Sequence, residues 1–238
     1  MLLNYTNFFN IHETDKDNVL KTNYDFNTEF AKFLYEIDCN PYFIRSIYNT
    51  VFSSMTSDKV YYHTPVHVLA MLTFAELNNI KLENWEKLAI FFHDVIYRPG
   101  SKNNEINSIQ FMMSLLDGTG VSESIKIQSA NAIQATAMHL EQEWDPEFNN
   151  LMDLDMAGFS SDKQYYDIQN DCIKKEFCQP DLKNYKGSSI ENFNKGRLSF
   201  LTSLKNKKSI YRTELFLNNF EQKAQENLIN SIKEFKND

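Results

Sequence analysis

A chain of 238 residues with a formal net charge of −8 can bury roughly 70–75% of its unfolded surface in one large domain, so neither a disulfide nor a structural metal is needed merely to hold it together. The negative balance argues against a long polynucleotide as partner, because such a molecule repels a phosphate backbone. Gly and Pro contribute only 11 residues, far below the roughly 12% of average usage, which disfavours a turn-rich β architecture.

Apolar residues recur at helical spacing through most of the chain without a sustained alternating stretch, so the expected fold class is all-α. A first helix is predicted over about Asp25 to Ile37 and a second over Pro41 to Met55, with Pro41 suited to the first turn. Thr64 and Pro65 open a third, as N-cap and first helical residue, which carries Val68, Leu69, Met71, Leu72 and Ala75 inward. The fourth runs from about Glu83 to Tyr97 and is halted by Arg98-Pro99-Gly100. A fifth is expected near Glu105 to Leu116 and a sixth over Ser122 to Leu140. Helical stretches near Lys163 to Cys178, Ile190 to Leu204 and Thr213 to Phe235 complete the chain. The polar connection Gln179 to Ser189 is the one sizeable late loop, and the lysines of 205–209 read as a solvated helix end.

Cys39, Cys172 and Cys178 are odd in number and widely spaced, the usage of a reducing compartment rather than of a disulfide framework. The opening MLLNYTNFFN does not read as a secretion signal, and no run of about 18 apolar residues occurs. These features predict a cytosolic protein without a membrane partner.

The chemistry concentrates around His93 and Asp94, set in the otherwise apolar or aromatic stretch LAIFFHDVIY (Leu88 to Tyr97). A helix apolar on all sides is buried, and a buried carboxylate costs several kcal/mol unless a cation or a donor compensates it. A divalent metal is the most economical partner, since imidazole and carboxylate both ligate first-row ions. His63 and His67 stand four apart, which on one helix would aim both at the same ion. Pro65 intervenes: Thr64 is driven out of the α region, so His63 lies outside the helix that holds His67. One of the pair can then ligate while the other transfers protons. Asp153 and Asp155 lie among Leu151, Met152, Leu154, Met156 and Ala157, where solvated charges are not expected. Two residues apart on a helix, they face opposite ways, so one of them should reach a given ion.

Five segments in order carry a family resemblance: Tyr62-His63-Thr64-Pro65-Val66-His67, Phe91-Phe92-His93-Asp94-Val95-Ile96-Tyr97, Asn104-Glu105-Ile106-Asn107-Ser108, Thr136-Ala137-Met138-His139 and Asp153-Leu154-Asp155-Met156. Together they resemble the HD superfamily of metal-dependent phosphohydrolases, over residues of about 60 to 235. The resemblance implies a single HD-type helical bundle with extra N- and C-terminal helices, its core over about 60–160 and a C-terminal extension over about 161–238. It implies that His67, His93, Asp94 and Asp155 ligate a divalent ion (Mn, Mg, Co, Fe or Zn), with Asp155 preferred over Asp153 because it precedes a Leu-like residue. His63 becomes the candidate general acid. Glu105 is the candidate for positioning water, and His139 for binding phosphate or completing a second metal site. Lys174 and Arg197 are candidate phosphate contacts. The expected activity is hydrolysis of a phosphoester or phosphoanhydride bond in a small phosphorylated substrate, a nucleotide above all. Two alternatives stand beside it: a di-iron oxygenase on the same fold, and a nucleotide-binding module without catalysis.

Overall fold

The computed structural model describes residues 16–56, 60–137, 145–179 and 187–237, with 16–24 and 237 as backbone alone. The described residues form eleven α-helices and no strand. These are α1 (Lys16–Glu36), α2 (Pro41–Met55), α3 (Pro65–Leu77), α4 (Asn84–Phe92), α5 (Asn104–Leu115), α6 (Glu123–Thr136), α7 (Asn149–Asp155), α8 (Lys163–Phe177), α9 (Ile190–Lys205), α10 (Glu214–Asn219) and α11 (Glu221–Asn237). Short 3-10 turns at Pro146–Phe148 and Ala157–Ser160 flank α7. His12 and His139 lie outside the described residues, as does the predicted end of the sixth helix beyond 137.

Local chemistry explains most boundaries. Asn40, Ser122 and Ser189 accept backbone N–H bonds at the starts of α2, α6 and α9, the ordinary work of an N-cap. Glu83 and Glu86 close a capping box on α4, and Glu83 N donates to Glu86 Oε2 at 2.8 Å. Thr64 occupies the N-cap of α3 in extended geometry, but its hydroxyl makes no capping bond. The predicted last helix is two: Phe220 breaks the ladder between α10 and α11 and packs on Phe74 and Phe216. Glu221 then accepts from Ile210 N and Tyr211 N, 2.9 and 3.0 Å away.

α3 runs through the interior, with Val66 to Met71, Phe74 and Ala75 all buried. α4 lies beside it and against α6, where Ser129 donates to Trp85 O at 2.9 Å. Phe26, Phe30 and Phe33 of α1 cover the outer face of α4, and the rings of Phe30 and Phe91 stack at 4.1 Å. Aromatic pairs of this kind add about 0.5–1.5 kcal/mol each beyond their buried area. On the other side α11 packs on α9 and on the Ala157–Ser160 turn. Asn227 donates to Phe159 O and Ser161 O there, and the buried Tyr211 hydroxyl donates to Met156 O at 3.2 Å. One buried cluster thus extends from Phe26 to Ile232. Among the described residues no helix is long and apolar enough to cross a membrane.

The difference from expectation that matters most concerns α4. It stops at Phe92, five residues before the predicted Tyr97, leaving His93 as C-cap. Two donors that would follow are captured from the side: Ile96 N donates to Ser108 Oγ at 3.1 Å, and Arg98 N to Asn104 Oδ1 at 3.0 Å. Asn104 Nδ2 returns a bond to Arg98 O at 3.0 Å. The Asn and Ser of the segment 104–108 therefore act as staples that bend the chain away from helical geometry directly after the His-Asp pair.

Candidate metal centre

Three elements converge on one point. α3 supplies His67 from its first turn, the unwound end of α4 supplies His93 and Asp94, and the last residue of α7 supplies Asp155. Ligand atoms of these four all lie within 4.8 Å of one another. His67 Nε2 is 2.9 Å from Asp155 Oδ1; His93 Nε2 is 3.0 Å from Asp94 Oδ2 and 3.7 Å from Asp155 Oδ1. Donors about 2.1 Å from a common ion sit about 3.0 Å apart when adjacent and about 4.2 Å apart when opposite in an octahedral shell, so the spacings match a shared ion. Two nitrogens and two carboxylates also suit Mn, Fe, Co or Zn.

The fit is tested by His93. Its Nδ1 lies 3.0 Å from Ile90 O, which assigns the proton of the neutral ring to Nδ1 and the lone pair to Nε2. Nε2 is buried and has no hydrogen-bond partner. A lone pair facing carboxylate oxygens at 3.0 and 3.7 Å is repulsive until a cation lies between them. A proton would serve: burial alone pushes the imidazolium pKa down, but Asp94 and Asp155 outweigh it and hold it well above the ordinary histidine value. A proton and a divalent ion are thus the two cations that can fill the space between Nε2 and the carboxylates, and the four ligand atoms within 4.8 Å of one another suit the ion. Asp94 complements this: burial favours its neutral form, but His93 and His63 hold its pKa below the usual carboxylate range.

His63 stands beside the cluster without joining it. Its Nδ1 donates to Glu176 Oε2 at 2.8 Å, and Tyr97 stacks on its ring at 3.6 Å. Glu176 is fully buried, and its Oε1 accepts from the backbone N–H of Tyr61, Tyr62 and His63 at 2.6–3.0 Å. One carboxylate thus fixes both the loop before α3 and the imidazole that the loop carries. Burial pushes the His63 pKa down, but Glu176, with Asp94 and Asp155 behind it, more than offsets this and holds it above the ordinary value.

A cavity of about 710 Å³ opens from the cluster. His63, Asp94, Glu105 and Asp155 line one end; Phe159, Phe177, Phe193 and Phe200 line much of the rest, with Arg197 among them. Arg197 Nη2 donates to Asn170 Oδ1 at 2.7 Å, and its guanidinium lies 5.9 and 5.4 Å from the Phe159 and Phe200 rings. Its Nε is buried without a hydrogen-bond partner among the described residues. Burial lowers its pKa, which the nearby tyrosines 166, 62 and 97 oppose.

Two expected site residues are placed elsewhere. Asp153, on the opposite face of α7 from Asp155, is fully buried and accepts from Arg212 N, Thr213 N and Thr213 Oγ1 at 2.8–2.9 Å. It is a staple for the segment before α10, and its full set of donors leaves it no reason to seek an ion. Lys174 lines a separate crevice with Lys163, Asp167 and Glu234; its place on α8 turns it away from the cavity that Arg197 enters. Asp153→Ala strands three donors, so we expect a loss of about 3 kcal/mol in stability with unchanged Mn²⁺ affinity, read by denaturant unfolding and calorimetry. Weakened metal binding in the folded variant would contradict the assignment.

The roles of Glu176 and of the Phe walls are not apparent from the sequence, although Glu176 and Phe177 lie in a stretch that shares the family resemblance. A signal for Glu176 existed: it shares a helical stripe with the buried Gln169 and Cys172, the same anomaly of a carboxylate on a buried face that singled out Asp94. Compared with known protein families and with curated proteins, the chain gives no match to any family model and none to any curated sequence.

Proposed function

We propose that the protein is a metal-dependent phosphohydrolase of the HD type, cleaving a phosphoester or phosphoanhydride bond of a small phosphorylated molecule, a nucleotide above all. The observation that carries this reading is the convergence of His67, His93, Asp94 and Asp155, whose ligand atoms lie within 4.8 Å of one another beside the cavity. A divalent ion held by His67, His93, Asp94 and Asp155 would supply a Lewis acid that polarises a phosphoryl oxygen and acidifies a water.

The remaining roles belong to side chains. Water attacks phosphorus, the new P–O bond forms as the bond to the leaving oxygen breaks, and the departing oxygen needs a proton. His63 is placed to give it, because Nδ1 is committed to Glu176 and leaves Nε2 for the cavity. Glu105, in the first turn of α5 and on the same wall, is placed to orient the attacking water. Arg197 gives the phosphate a cationic contact away from the cluster.

The competing di-iron oxygenase needs ligands beyond these four. Asp153, the other carboxylate at the end of α7, is taken by residues 212 and 213, which favours the hydrolase. Protein stripped by a chelator should release no phosphate from a panel of nucleotides, and Mn²⁺, Co²⁺ or Mg²⁺ should restore release, with one ion per chain by elemental analysis. Equal turnover by stripped protein would refute the proposal, and two irons per chain with dioxygen uptake would establish the oxygenase instead.

A further inference from the structure

We infer that the substrate carries a single phosphorus on a flat aromatic body, of which a nucleoside monophosphate is the simplest form, its phosphate lying between the metal cluster and Arg197 and its ring among the phenylalanines. This rests on the phosphohydrolase reading and narrows it.

The first observation is Arg197. Its guanidinium, held by Asn170 and set against Phe159 and Phe200, is oriented before any ligand arrives. Its buried Nε has no acceptor, and a guanidinium offers five donors in a planar fork suited to phosphate oxygens. A half-buried cation whose buried Nε is unmet among the described residues is costly to desolvate unless an anion visits it.

The second is the balance of charge along the cavity. Among the described lining residues Arg197 is the sole Lys or Arg, while Asp94, Glu105 and Asp155 are acidic. One divalent ion and one guanidinium suffice for a phosphate monoester dianion. The three or four negative charges of a triphosphate would instead crowd against those carboxylates. The third is the wall beyond Arg197, where the Phe177 and Phe193 rings stand 5.7 Å apart and the Asn192 amide lines the same space. Apolar faces with a few placed amides are how a planar heterocycle is held, and 710 Å³ lies within the range of sites that enclose a whole small molecule rather than a bare phosphate.

The test is calorimetric titration of the Mn²⁺-loaded full chain with hydrolysis-resistant phosphonate isosteres of AMP, ATP and ribose 5-phosphate, and with adenosine. The AMP isostere should bind tightest, and Arg197→Gln should weaken it about tenfold or more while leaving adenosine unchanged, as expected for loss of a charge-assisted contact. Should Arg197→Gln not fold, the ranking of the four ligands on the natural chain decides alone. Ribose 5-phosphate binding as tightly as AMP, or ATP binding tighter, would overturn the inference. Phosphate release without this ranking would overturn the substrate class and keep the hydrolase; the ranking without release from any nucleotide would keep the class and overturn the hydrolase.

Discussion

Asp155→Ala should lower Mn²⁺ affinity by at least about a hundredfold and abolish phosphate release, since loss of groups that merely support a ligand already costs about 10- to 100-fold. Asp155 is the closest partner of His67 Nε2 and also approaches His93 Nε2, so it joins ligands from three separate elements. Its side chain is only partly exposed, and alanine leaves two imidazoles without the carboxylate that links them. The variant should still fold, because Asp153, not Asp155, ties α7 to residues 212 and 213. The two substitutions therefore form a crossed pair: one removes metal and spares stability, the other does the reverse. Calorimetric Mn²⁺ titration beside denaturant unfolding of both variants reads the crossing, and an Asp155→Ala protein that keeps natural affinity would remove Asp155 from the site.

His63→Gln should reduce kcat by about 10²–10⁴-fold, the usual contribution of a positioned proton donor, without loss of bound metal. Only the protonated ring can donate, and Glu176 pushes its pKa up, so kcat should fall as pH rises through that pKa. Glu176 is the strongest of the groups that raise it. Glu176→Gln should accordingly move the alkaline limb of the pH profile toward lower pH, with a smaller loss of kcat at its new optimum. A structural role alone would lower the amount of folded enzyme and leave the limb where it was. A pH profile of kcat, corrected for active protein, separates the two outcomes.

Much of this is legible in the amino-acid sequence alone. The helix starts at Pro41 and Pro65 follow from the fixed φ of proline, and the exclusion of His63 from α3 follows from the restriction that Pro65 places on Thr64, whose φ of −105° and ψ of 172° are extended. The opposed directions of Asp153 and Asp155 follow from helical pitch. What escaped was set by contacts distant in sequence. α4 ends at Phe92 because Asn104 and Ser108 take the backbone groups of residues 96 and 98, and local hydrophobic periodicity carries no trace of that competition. Glu176 stands 113 residues from His63, beyond the reach of any spacing rule. Lys174 had only its charge to recommend it, and helix packing decides which crevice a charge enters.

The two carboxylates of α7 have one further consequence. Residues 153 and 155 sit on a rigid rod of a single seven-residue helix, one gripping the segment that leads into α10 and the other offered to the ion. The grip on residues 212 and 213 needs no ion, so a chain stripped of its metal keeps its carboxyl-terminal helices docked and loses only the mass-action stabilisation that the ion adds.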